Sequence, residues 1–222
     1  MGQMVELKSS DGFTLTAYVA APSGRARGGL VIAQEIFGVN GHIQSVADGY
    51  AADGYLTIAP ALFDRVQRGV NLGYSDADIA TGRSYIPKAS LDHAVIDVQA
   101  AVKHVASAGK IGVVGYCWGG TVAWLAAAKV DGIAAAISYY GGGVAANVAA
   151  TPRVPVMFHW GNQDHAIPLL DVHKIETAHP GASSHIYTAG HGFNCSERGS
   201  WHELAAKLAR GRSIEFLQKH VG

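Results

Sequence analysis

The chain has 222 residues, 49% apolar and 15% charged, a balance that fits a compact fold with one substantial core and excludes a disordered or nucleic-acid-coating chain. Its 17 basic and 17 acidic residues cancel and form no block of like charge, which leaves no electrostatic footprint for nucleic acid or an anionic membrane. Two cysteines without C-x-x-C spacing supply neither a disulfide framework nor a zinc or redox pair, and with no leader pattern and no apolar run of about 18 residues the expectation is a single domain over residues 1–222, cytoplasmic and monomeric, whose partner is a small molecule.

The first elements are two short alternating segments, residues 5–8 and 14–20, either side of "SSDG". They predict an antiparallel hairpin at a sheet edge. The pattern then changes to short continuous apolar runs over residues 29–34, 55–60, 110–116, 132–140, 154–160 and 183–189, the signature of parallel strands buried on both faces. Helical stretches lie between and after them at residues 42–52, 90–105, 121–129, 168–178 and about 200–219. Strand and helix alternate, which predicts an α/β open sheet with right-handed crossovers and helices on both faces. Residues 63–88 are polar and glycine-dotted, and are read as a lid or an extra short helix.

Ligands of such a sheet gather at the carboxyl ends of its strands. The strand at 110–116 runs into "GYCWGG", a G-x-C-x-G version of the G-x-S-x-G nucleophile elbow. Glycines flank the nucleophile there because a sharp strand-to-helix turn brings neighbouring backbones close and strains the central residue. Cys117 is therefore the candidate nucleophile, at a helix N-terminus that favours a thiolate. The alternative is a small buried filler with glycines that merely permit tight packing. The strand at 154–160 leads into "GNQDH" and the strand at 183–189 into "GHGFNC", placing Asp164 and His191 on the next two strand-end loops. Nucleophile, acid, histidine is the chain order of α/β-hydrolases. Glu35 and Ile36 follow the strand at 29–34, where this architecture takes the second N–H of its oxyanion hole, the first being that of Trp118. A carboxylate at the end of a central strand needs a donor, and Glu35 is expected to contact Cys117 or an arginine.

Five separated motifs, "VIAQEIFGVN", "VGYCWGG", "SYYG", "GNQDH" and "AGHGF", together resemble the dienelactone hydrolase family, the carboxymethylenebutenolidases, over almost the whole length. The resemblance implies an α/β-hydrolase domain whose triad of Cys117, His191 and Asp164 opens the enol-lactone or ester bond of a small acid, with no metal and no organic cofactor. It also implies that Glu35 interacts with the resting thiol until substrate displaces it, and that Tyr139 is a pocket residue. The family's substrate-gripping arginine lies four residues after the catalytic histidine, where this chain has Cys195. Arg83 and Arg198 fall out of register with it, so a small ester or lactone is the implied substrate. Phe37, Tyr139, Phe193 and Arg83 are expected to line the cleft. Two competing readings are a thiol redox sensor or ligand-binding protein on the same fold, with Cys195 as resolving partner, and a metal hydrolase, for which the "HE" at His202 lacks the second histidine of H-E-x-x-H.

Overall fold

Eight strands form one sheet in a computed structural model that describes residues 2–222. The expected hairpin consists of β1 (Gln3–Lys8) and β2 (Thr14–Ala20), paired antiparallel from Gln3 opposite Val19 to Lys8 opposite Thr14. The remaining strands are β3 (Gly29–Ala33), β4 (Leu56–Pro60), β5 (Ile111–Tyr116), β6 (Ile133–Tyr139), β7 (Val156–Gly161) and β8 (Ser183–Tyr187). Their order across the sheet is β1-β2-β4-β3-β5-β6-β7-β8, with β2 antiparallel to β4 and every later pairing parallel. This is the α/β-hydrolase fold.

Among the described residues six α-helices accompany the sheet: α1 (Gly41–Ala52), α2 (Asp76–Tyr85), α3 (Leu91–His104), α4 (Trp118–Lys129), α5 (Leu169–Ala178) and α6 (Glu203–His220). The pleat shows why both faces need cover. In β6, Ser138 points toward α4, where its hydroxyl abuts Gly120, whereas the next residue, Tyr139, reaches across the other face to Ser213 of α6. Strands β3, β5 and β7 are accordingly wholly buried and almost wholly apolar, His159 of β7 being the polar exception. Among the described residues no helix is long and apolar enough to cross a membrane.

The irregular stretch 63–88 contains α2 followed by a 3-10 turn at Ile86–Lys88. A capping box starts α2: Ser75 Oγ accepts from the Asp78 amide, and the Asp78 carboxylate accepts from the Ser75 amide at 3.1 Å. Its helical period is weak because only Gly82 is buried. That glycine rests on the carbonyl of Ile36, where any Cβ would collide. Helix α4 starts at Trp118, three residues earlier than its apolar pattern suggests, because the turn at Cys117 leads straight into it.

Strand register sets up the site. Ala33 lies opposite Gly115, Gly115 opposite Ser138, Tyr139 opposite His159, and Gly161 opposite Tyr187. The loops after β3, β5, β7 and β8 therefore leave the same edge of the sheet. Those loops carry Glu35, Cys117, Asp164 and His191.

Candidate active site

Cys117 is held at φ 54° and ψ −119°, a backbone region that side chains other than hydrogen avoid at a cost of about 1–3 kcal/mol. Surrounding contacts enforce it. The Cys117 amide donates to the Tyr139 carbonyl at 3.0 Å, and its carbonyl accepts from the Gly120 amide at 2.9 Å. The flanking glycines are there for close approach: a Cβ on Gly115 would run into the carbonyl of Gly119, and one on Gly119 into the carbonyls of Ala33 and Gln34.

Asp164 and His191 meet the thiol from the next two loops. His191 Nε2 is 3.1 Å from Cys117 Sγ, and His191 Nδ1 is 2.7 Å from Asp164 Oδ2. An ionised carboxylate only accepts, so Nδ1 carries the proton that points at Asp164. The other oxygen, Oδ1, accepts from the Ala166 amide at 2.8 Å, which fixes the buried carboxylate's orientation. Tyr140 packs its ring 5.1 Å from the imidazole. Burial works against an imidazolium at His191, but the charge of Cys117, the hydrogen bonds of Asp164 and Cys117, and the charge of Asp164 outweigh it and raise the ring from 6.5 to about 10.

These groups open onto a cleft of about 940 Å³. Ile36, Cys117, Trp118 and His191 all line it. Trp118 begins α4, so its amide has no acceptor within the helix and remains available to the cleft. An apolar wall comes from the segment around α2, through Ile79, Ile86, Ala89 and Leu91, with Arg83 beside them. Gln163, His165, Trp201 and His202 complete the rim. Sequence reasoning singled out Arg83 from this segment and missed its apolar residues, which have no strand or strong helix pattern. Gln163 and His165 had a signal, since both flank Asp164 in "GNQDH".

Three expected cleft residues are placed elsewhere. Phe37, Tyr139 and Phe193 are wholly buried and do not line the cleft. Tyr139 points to the opposite face of the sheet, where its hydroxyl lies 2.7 Å from Ser213 Oγ. Phe37 lies beneath the Arg198 guanidinium, 5.6 Å from its ring centre. Phe193 packs against Tyr140 and Tyr187.

Glu35 is wholly buried and finds an arginine rather than the thiol: its Oε1 lies 3.4 Å from Arg198 Nη1. Arg198 thus reaches the cleft despite standing three residues beyond the family's arginine position. Gly192 makes room for it, since a Cβ there would strike the guanidinium. Burial raises the Glu35 carboxyl above its usual range, opposed by the charges of Arg198 and His191. Cys195 is also wholly buried, and burial, together with the Glu35 charge, pushes its thiol up to about 11. A resolving cysteine needs an accessible thiolate, so this environment is the reverse of what the sensor reading requires.

Comparison with known proteins gives the family of the chain. A carboxymethylenebutenolidase of Pseudomonas putida is 34% identical over 226 residues, covering 96% of this chain and 94% of that one. A solved structure from Klebsiella pneumoniae, provisionally named a dienelactone hydrolase, is 28% identical with a TM-score of 0.84, covering 99% of this chain and 100% of that one. A dienelactone hydrolase-like promiscuous phosphotriesterase from metagenomic libraries shares the fold at 16% identity and a TM-score of 0.79, over 100% of this chain and 99% of that one. Residues 15–221 match the sequence model of the dienelactone hydrolase family. The chain belongs to the dienelactone hydrolase family and is a hydrolase of ester or lactone bonds.

Proposed function

We propose that this chain hydrolyses small esters or enol-lactones through a Cys117–His191–Asp164 triad and an acyl-enzyme. The observation that carries the reading is the unbroken line from Sγ through Nε2 and Nδ1 to Oδ2, with contacts of 3.1 and 2.7 Å, hung on a strained strand-to-helix turn. With His191 raised to about 10, the ring is a ready acceptor for the thiol proton of Cys117, 3.1 Å away. Sulfur then attacks the ester carbonyl, while the amides of Ile36 and Trp118 stabilise the oxyanion. His191 gives its Nε2 proton to the leaving oxygen as the C–O bond breaks. The neutral ring then takes a proton from water, which attacks the thioester and releases the acid and the thiolate. Asp164 holds the tautomer and orientation throughout.

Glu35 acts at one remove. Its resting partner is Arg198, so the carboxylate fixes the guanidinium at the cleft wall, where with Arg83 it supplies positive charge to an acidic substrate. A thiolate leaves a tetrahedral intermediate more readily than an alkoxide does. Enol and aryl esters should therefore be cleaved in preference to alkyl esters, and amides not at all.

The test is hydrolysis of p-nitrophenyl acetate and of cis- and trans-dienelactone by the wild type and by Cys117→Ala. Loss of the nucleophile should lower kcat/KM by at least about 10³-fold without altering the far-ultraviolet circular dichroism. Turnover that survives in Cys117→Ala would remove the cysteine mechanism.

A further inference from the structure

Behind Arg198, Glu35 belongs to a second group of chemically active side chains, of which His42 and Cys195 have no part in the hydrolytic reading. Glu35, His42 and Cys195 each offer a ligand atom within 4.8 Å of the other two. They come from three separate elements: the loop after β3, the first turn of α1 and the loop after β8. Their relative exposures are 0%, 5% and 0%. Burial of this kind normally demands that every polar atom be paired. Two are not: Glu35 Oε2 and His42 Nε2 are buried without a hydrogen-bond partner. Carboxylate and imidazole could satisfy each other directly, yet they make no such bond.

We propose that Glu35, His42 and Cys195 form a buried binding site for a divalent transition metal of the zinc class. The donor set joins a hard carboxylate oxygen to a borderline imidazole nitrogen and a soft thiolate, and the last two suit zinc and cobalt rather than magnesium or calcium. Bond lengths of about 2.0–2.3 Å in a tetrahedral site put donors roughly 3.3–3.8 Å apart. Separations within 4.8 Å therefore need a contraction of at most about 1–1.5 Å. Binding replaces the thiol proton: the Cys195 S–H bond breaks, a sulfur–metal bond forms and the proton leaves to solvent. Carboxylate and thiolate then neutralise the divalent charge, and Arg198 keeps its single positive charge on the cleft side.

A supporting shell is already in place. The Tyr74 hydroxyl lies near the Cys195 sulfur and accepts from Asn40 Nδ2 at 3.1 Å. Donors to a ligating sulfur orient it and stabilise its anionic form. Access runs through Arg198, which both lines the cleft and contacts Glu35. The site takes no part in the acyl-transfer steps. It engages the carboxylate that anchors Arg198, and so gives a metal a handle on the cleft wall without touching the triad.

The experiment exploits the presence of only two cysteines in the chain. Cobalt(II) is titrated into full-length Cys117→Ala, whose only thiol is Cys195, and into Cys195→Ala, whose only thiol is Cys117. The expected result is a thiolate-to-cobalt charge-transfer band and tetrahedral visible bands in Cys117→Ala, saturating at one equivalent and abolished by zinc, with no such band in Cys195→Ala. Adding His42→Leu to Cys117→Ala should weaken binding at least about 10-fold. A band confined to the chain that keeps Cys117, or no band in either chain, overturns the proposal, as does cobalt affinity unchanged by His42→Leu. Circular dichroism verifies the fold of each variant. The comparison of the two cysteine variants leaves His42 untouched, so it decides the matter even if His42→Leu does not fold.

Discussion

At Cys117 the requirements of chemistry and of stability oppose each other. The backbone at φ 54° and ψ −119° suits glycine, so the cysteine side chain is kept there against a local penalty. Replacing it by glycine removes the strain and adds back some unfolded-state entropy. Cys117→Gly should therefore be inactive yet more stable than wild type by about 1 kcal/mol, read from urea unfolding; equal or lower stability would mean that the turn is not strained. The same sulfur governs His191. Two of the four influences that lift the ring to about 10 come from Cys117, its charge and its hydrogen bond, whereas the opposing burial is a property of the pocket. In Cys117→Ala the imidazole should titrate well below its wild-type position, followed by NMR of the labelled ring. An unmoved titration would detach the histidine from the thiol. Strand-end residues of this kind were legible in the sequence because glycine spacing and chain order define them. The aromatic residues were not: Tyr139 and Tyr140 are neighbours, and a one-residue step sends one toward α6 and the other toward His191. Proximity to a strand end carries no information about which face a side chain takes.

Elements were readable in proportion to how fully they are buried. Strands β3, β5 and β7 are buried throughout and announce themselves as apolar runs, whereas α2 buries one glycine and was only an irregular segment with helix as one option. Arg198 was out of reach for a related reason, because it arrives on a loop and its position depends on the gap left by Gly192. Glycine within helices shows how local geometry decides sign. Gly119 lies in the first turn of α4 with the Ala33 and Gln34 carbonyls where a Cβ would go. Both obstacles are backbone, which cannot move without shifting β3. Gly211 lies in the interior of α6 with open space around it. Alanine is therefore expected to act oppositely at the two sites. Gly119→Ala should destabilise by about 2 kcal/mol or more through overpacking, whereas Gly211→Ala should stabilise by about 0.8–1 kcal/mol through helix propensity. Denaturant midpoints of the pair test this, and a same-sign result would show that α4 does not pack on β3 this closely.

On the scale of the whole molecule, the face of the sheet covered by α6 is held by a polar network whose side chains do not line the cleft. His159 of β7 is wholly buried, with Nδ1 2.8 Å from the Tyr187 hydroxyl of β8 and Nε2 3.0 Å from Ser213 Oγ of α6, which also meets Tyr139 of β6. One ring thus joins three strands and a helix. Burial, helped by the charges of His185 and Arg212, holds His159 well below its ordinary value of 6.5, so the folded protein keeps it neutral. The unfolded chain binds a proton there near pH 6.5. Below that pH the unfolded state carries one more proton than the folded one, and acid favours unfolding; above it the contribution is fully present and independent of pH. The expected slope from this residue is about 1.4 kcal/mol per pH unit as the pH falls below roughly 6. His159→Gln should lower stability at pH 8, where it removes at least one of the two buried hydrogen bonds, and should make the loss between pH 6 and pH 4.5 shallower by about one proton. Urea unfolding of both proteins across that range measures the difference. Parallel curves would place the acid sensitivity elsewhere, whereas convergence at low pH would identify this ring as a principal pH sensor of the fold.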